Sequence, residues 1–170
     1  MTNNEAPCAG PPQLPPQNRV VCGGGYKLAS NALLGPPPNP ASKYWRVDAV
    51  HVRTKTTSVG GHAIGVLYNA TDAAGGAPGH LLATSAPVLV PVGLDGWLRL
   101  PLTAGLDVTA GSYYIGYLLE QDQDCYSPVV GGANHDVFSV NSWPTPSAVW
   151  GKIGAGGTDI DVYASALPAA

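Results

Sequence analysis

The sequence predicts an all-β protein, an antiparallel β-sandwich preceded by an extended arm, and three observations carry that prediction. Of the 170 residues, 22 are Gly and 17 are Pro, about twice the share usual in globular chains, which leaves few stretches long enough for a helix. Several segments alternate apolar and polar residues at the period of two that belongs to strands. Turn-forming clusters separate those segments at intervals of about 8 to 12 residues, the spacing of a sandwich. A chain of 170 residues and 17.4 kDa fits one such core.

Residues 1–42 read as the arm, because Pro11-Pro12, Pro15-Pro16, Gly23-Gly24-Gly25 and Pro36-Pro37-Pro38 interrupt every stretch that might become regular. Its apolar side chains Leu14, Val20, Val21, Leu28, Leu33 and Leu34 are the candidates for docking on neighbouring subunits. The other possibility is that the arm wraps its own domain and covers a second apolar face formed by Tyr114 and Leu118.

Residues 43–170 read as the sandwich. Tyr44 to Thr54 is a strand whose inward phase switches near Ala49, from Val47 and Ala49 to Val50 and Val52, and a bulge accounts for such a switch. His62 to Tyr68 sets bulky Ile64, Val66 and Tyr68 against small Ala63 and Gly65, with Leu67 breaking the pattern, so that strand is expected to be covered on both sides. Asn69 to His80 is a loop, and Leu81 to Val90 a strand interrupted at Pro87. Gly96 to Leu102 points Leu98, Leu100 and Leu102 one way and Trp97, Arg99 and Pro101 the other. Thr103 to Ala110 reads as a connection, and Ser112 to Glu120 is again apolar on both faces. Asp136 to Val140 and Thr158 to Tyr163 are short strands flanking a loop with Trp143-Pro144 and Trp150. The expected core is Leu98, Leu100, Leu102, Val50, Val52, Ile64, Val66, Ile115 and Ile160.

Charged residues make up 11% of the chain and the formal charge is −3, with Lys and Arg scattered, so a nucleic-acid partner is not expected. Met1 to Gly10 lacks the basic flank and apolar core of an export signal, and no apolar run is long enough to span a membrane. Cys8, Cys22 and Cys125 cannot all pair within one molecule. Closure of Cys8 on Cys22 and free buried thiols both remain open.

The four histidines, His51, His62, His80 and His135, share no ligand spacing, and the Asp122/Asp124 and Asp159/Asp161 pairs do not continue as a calcium loop. No Gly-x-Ser-x-Gly elbow or phosphate loop is present, and Asn69-Ala70-Thr71 reads as a polar hairpin end. No catalytic residue, metal or cofactor is therefore expected. Trp97 and Trp143 are candidates for interaction or for stacking on a sugar ring, against the alternative that they simply pack.

Five segments carry a resemblance: Val47-Asp48-Ala49-Val50-His51-Val52-Arg53-Thr54, Ala63-Ile64-Gly65-Val66-Leu67-Tyr68, Pro78-Gly79-His80-Leu81-Leu82-Ala83-Thr84-Ser85, Gly96-Trp97-Leu98-Arg99-Leu100-Pro101-Leu102, and Leu106 through Tyr117. In this order they resemble the jelly-roll-like β-sandwich domain of phage virion structural proteins and bacterial surface proteins. The resemblance implies a non-enzymatic capsid decoration or small tail subunit located in the virion. Its partners would be major capsid or tail subunits and further copies of itself. A carbohydrate-binding or adhesive module at an extracellular or cell surface, with host glycans as ligands, is the alternative.

Overall fold

The computed structural model describes residues 17–22, 26–56, 60–71, 77–128, 136–151, 154–155 and 162–169, with backbone alone for 17–22, 26, 28, 123–128, 136 and 155. Its elements are β1 (Gln17–Cys22), β2 (Tyr26–Leu34), β3 (Tyr44–Lys55), β4 (His62–Ala70), β5 (Pro78–Thr84), β6 (Val88–Leu89), β7 (Asp95–Val108), β8 (Gly111–Leu119), β9 (Gln123–Pro128), β10 (Asp136–Val140), β11 (Gly154–Ala155) and β12 (Val162–Ala169). No helix occurs among the described residues, and all strand pairs are antiparallel. The all-β sandwich expected from the sequence is the fold found.

One sheet has five strands: β3 is flanked by β7 on one edge and by β12 and β9 along the other, with β1 beyond β9. The other has seven, in the order β11-β10-β2-β8-β4-β5, with β6 extending β5's side of β4. Side chains from both sheets form the main core, including Val47, Val50, Val52, Leu100, Leu102, Leu67, Tyr113, Ile115, Tyr117, Ala164 and Ala166. Leu100, Val50 and Val52 are fully buried. Leu98 is only half-buried, at the margin of that core.

The bulge expected near Ala49 is present: pairing of β3 with both neighbours skips Asp48, between Val47 and Ala49. Before it Trp45 and Val47 face the core, and after it Val50, Val52 and Thr54 do. Asp48 is the extra residue that lets both apolar runs point inward.

The phase expected for β4 needs correction. Ala63 and Leu67 belong to the inter-sheet core, whereas Ile64 and Val66 are buried in a second cluster on the outer face, with Ala29, Tyr68, Tyr114, Leu118, Val137 and Trp150. The reason is Gly65, where a Cβ would lie 2.9 Å from Val50 Cβ and 3.0 Å from Leu100 Cβ. Its lack of a side chain lets the facing sheet approach, so the phase that holds Ala63, Gly65 and Leu67 points inward and the phase that holds Ile64, Val66 and Tyr68 outward.

Residues 17–34, assigned by their proline- and glycine-rich surroundings to the arm, contribute β1 and β2. β2 is an inner strand, bonded to β8 and β10 over most of its length. Its Ala29, Ser30, Asn31 and Ala32 carry little β signal of their own, and pairing on both edges supplies what propensity does not. Residues 103–108, expected as a connection, continue β7 to Val108. The last strand starts at Val162 and runs to Ala169; Val162 faces the core and Tyr163 away from it as expected, while Ile160, Asp159 and Asp161 lie outside the described residues.

Candidate functional site

The two outer faces differ. Over the seven-stranded sheet, residues 141–151 fold back as a strap. Leu81 N donates to Ala148 O at 2.8 Å and Trp150 N to Gly79 O at 3.1 Å, so the strap pairs with the start of β5. Asn141 Nδ2 donates to Leu119 O at 2.8 Å, and Tyr68 OH to Ser147 O at 2.6 Å. Trp150 is 1% exposed and meets the Tyr68 ring edge-on at 5.1 Å.

Beneath the strap lies Lys27, 1% exposed. Its ammonium donates to Ser147 Oγ and sits 4.7 Å from the Trp150 ring centroid and 5.9 Å from that of Tyr68. Two aromatic faces and a hydroxyl stand in for water. Burial pushes the Lys27 pKa down and that of the Tyr68 phenol up, the latter opposed by its bond to Ser147.

The outer face of β12, β3 and β7 has no comparable cover among the described residues. Directly across these strands lie Tyr163, His51 and Arg99, and beside them Arg53 opposite Trp97. His51 stacks on Tyr163 at 4.3 Å with 5° between planes, and Trp97 meets Tyr163 edge-on at 4.9 Å. Trp97 starts two strands away from Tyr163, so its indole lies across β3 and closes these rings into one tile. Arg99 pairs with Asp48 at 2.8 Å, Arg46 with Asp107 at 3.1 Å and Lys55 with Asp95 at 3.4 Å. Tyr44 and Leu167 are 41% and 58% exposed at the other end of the face.

A serine, a histidine and an aspartate meet here although 117 residues separate Asp48 from Ser165. Ser165 Oγ donates to Asp48 Oδ1 at 2.5 Å, and His51 Nε2 lies 3.2 Å from the same hydroxyl. The hydroxyl has one proton and gives it to Asp48, so His51 Nε2–H is the donor to Ser165. In a hydrolytic triad the histidine takes the serine proton and the carboxylate orients the other ring nitrogen; here the carboxylate is wired to the serine.

The electrostatics agree with that wiring. Burial raises the Asp48 carboxyl, but hydrogen bonds from Ser165 and Arg99 and the guanidinium charge outweigh it and hold the group below its ordinary value, making it a weak base. Burial first, and Arg99 second, lower His51 to about 4 against the pull of Asp48. The cluster holds its side chains in a fixed arrangement, with the Ser165 proton directed at Asp48 and not at His51.

Of the residues singled out from sequence, Trp97 is on this open face, half-buried. Tyr114 and Leu118 are 3% and 0% exposed beneath the strap, with Trp143 packed against their cluster. Among the described residues the strap covers that face, with Ala29 and Lys27 of β2 packed beneath it; residues 1–16, which carry the rest of the proposed arm, lie outside the described residues. Leu34 is buried in the main core, and Leu33 is 49% exposed on β2. Val20, Val21 and Leu28 lie in paired strands, their side chains outside the described set; Leu14, Cys8 and His135 lie outside the described residues altogether. His51, Tyr163, Ser165 and Lys27 were missed as site residues, because their partners come from distant strands and no local spacing marks them.

Among the described residues no three His, Cys, Asp or Glu side chains group as metal ligands, and no helix of the structure is long and apolar enough to cross a membrane. Comparison with known protein families, curated proteins and solved structures returns no match.

Proposed function

We propose that this chain is a non-enzymatic structural component of a phage virion, a capsid decoration or small tail subunit with a jelly-roll sandwich that docks on neighbouring subunits. The observation that supports the reading is the inequality of the two outer faces: one is covered by the chain's own strap, the other has no such cover among the described residues and carries exposed Tyr44 and Leu167. Interfaces combine such apolar anchors with a polar rim, as the Arg46–Asp107 pair provides beside them. The jelly-roll reading is supported by the strand orders β2-β8-β4-β5 and β12-β3-β7, in which the chain crosses between sheets at β2–β3–β4 and again at β7–β8.

The test is to purify particles from the system that encodes the chain, look for it by mass spectrometry and place it by electron cryo-microscopy. Tyr44→Glu with Leu167→Glu should fold and melt as wild type yet be missing from particles. Particles that never contain the wild-type chain sink the proposal. The tile of Trp97, Tyr163 and His51 favours a second reading, a carbohydrate-binding or adhesive module at a virion or cell surface, in which the other end of the same face is the contact.

A further inference from the structure

We propose that the strap, residues 141–151, is a flap that opens as a unit while the sandwich stays folded, and that its opening uncovers the ammonium of Lys27. The flap lies on the covered side of the molecule and does not depend on what the opposite face binds.

Three features carry it. The first is how the strap is held. Two backbone bonds tie it to β5, Leu81 N to Ala148 O and Trp150 N to Gly79 O. Within it only Trp150 is buried, while Thr145, Ala148 and Val149 are exposed. A segment anchored by so few buried side chains opens at a lower free energy than the strands beneath it.

The second is where its ends stand. Asn141 follows β10 directly; at the far end Ser139 Oγ of β10 donates to Gly151 O at 2.5 Å, and Phe138 pairs with Gly154 just beyond. Both ends are thus fixed to β10, and the segment between them can swing without leaving the sheet. Gly151 has φ +63°, a left-handed conformation that few other residues adopt, and it is the pivot at the exit.

The third is what closure encloses. Lys27 is 1% exposed, and about its ammonium stand Ser147 Oγ and the rings of Trp150 and Tyr68. An ammonium offers three N–H donors, and among the described side chains Ser147 supplies the oxygen that receives one. Two atoms of the strap itself, Ser142 Oγ and Trp150 Nε1, are buried with no hydrogen-bond partner in the protein. Each of these groups regains water when the strap lifts, which offsets part of the apolar contact that Trp150 gives up. The downward shift of the Lys27 pKa, caused by burial, is in keeping with an ammonium that gains hydration on opening.

The experiment follows hydrogen exchange of the full chain by NMR at rising urea below the unfolding transition, together with acetylation of its lysines by N-hydroxysuccinimidyl acetate, read by mass spectrometry. The Leu81 and Trp150 amides, which bond across the strap contact, report the flap. Those of Ile115, Gly116 and Tyr117, on a strand paired along both edges, report the sandwich. After correction for intrinsic rates, the flap amides should exchange about tenfold or more faster than those of β8, with a weaker dependence on urea. Lys27 should be acetylated about tenfold or more slowly than exposed Lys43, with the urea dependence of the flap amides. If the Leu81 and Trp150 amides exchange at the rate and urea slope of β8, the strap opens only when the sandwich unfolds and the flap is overturned. Fast flap amides with Lys27 acetylated on the β8 slope mean that β5 frays without the strap lifting, which overturns it too. Acetylation of Lys27 as fast as that of Lys43 overturns the enclosure of the ammonium.

Discussion

The outer face of the seven-stranded sheet carries Ile64, Val66, Tyr68, Tyr114 and Leu118 and is roofed by residues 141–151, whereas the outer face of β12, β3 and β7 carries His51, Trp97, Arg99 and Tyr163 without such a roof among the described residues. Both faces use tryptophan, and the difference lies in what surrounds it. Trp150 is enclosed by apolar side chains and a buried lysine. Trp97 lies among ion pairs and a neutral imidazole and retains open surface. Because one apolar face is enclosed by the chain's own loop and the aromatic one has no such cover among the described residues, substitutions on the two sides should behave differently.

The largest expected effect is at Trp150. Trp150→Ala should cost about 3–5 kcal/mol in urea unfolding, since it empties the space under the strap, while Trp97→Ala should cost about 1 kcal/mol, the worth of an edge-on aromatic contact. Equal losses would mean that the open face is as much a part of the core as the roofed one. Between them in size stands Gly65→Ala on the inner side of β4. Its methyl group would meet Val50 and Leu100 at 2.9 and 3.0 Å, and overpacking of this kind costs about 1–3 kcal/mol.

Lys27→Met sharpens the comparison from the charge side. Replacing a buried ammonium by an apolar chain of similar length should change stability by about 1 kcal/mol or less, while altering its pH dependence. The folded-state pKa of Lys27 is lowered, so between that value and 10.5 the unfolded chain binds more protons, and wild-type stability rises with pH through that window. The Met variant should lose this rise when melting is followed from neutral pH up to about 10, where tyrosine ionisation begins.

The last comparison concerns the pH dependence set by His51. With its pKa lowered from 6.5 to about 4, the folded chain resists protonation that the unfolded chain accepts, so stability is fully present above 6.5 and declines as pH falls toward 4. His51→Phe, which keeps a ring against Tyr163, should flatten the melting curve across that interval. An unchanged slope would place the imidazole in freer contact with solvent than its stacking implies.

What the sequence made legible was whatever alternates within a single strand. Leu100 and Leu102 against Trp97 and Arg99, and the phase switch at Ala49, could be read directly, because strand periodicity is local. The direction of β4 could not, since Gly65 turns that strand's small residues inward only in view of Val50 and Leu100 on the facing sheet. β2 was hidden for a related reason: Ala29, Ser30 and Ala32 are weak strand formers that take their conformation from β8 and β10. The candidate site was the least legible part. Trp97 was marked by its outward phase, but His51, Ser165 and Asp48 come together across a bulge and two strand pairings, and nothing in a linear spacing announces that.

The bulge has a meaning best expressed as a reading frame. Along β3 the in-and-out alternation is read in one frame through Val47 and in the other from Val50, and Asp48 is the single inserted letter between them. Deleting any residue from Val50 to Thr54 would throw those after it out of frame, sending polar side chains into the core. Deleting Asp48 would merge the two frames and leave every neighbour on its present side. As far as the alternation is concerned, Asp48 is the residue β3 can spare. What it uniquely supplies is the carboxylate that receives Ser165 and Arg99 on the outer face of the sheet, so a chain lacking it should retain its sandwich while losing the order of the side chains displayed there.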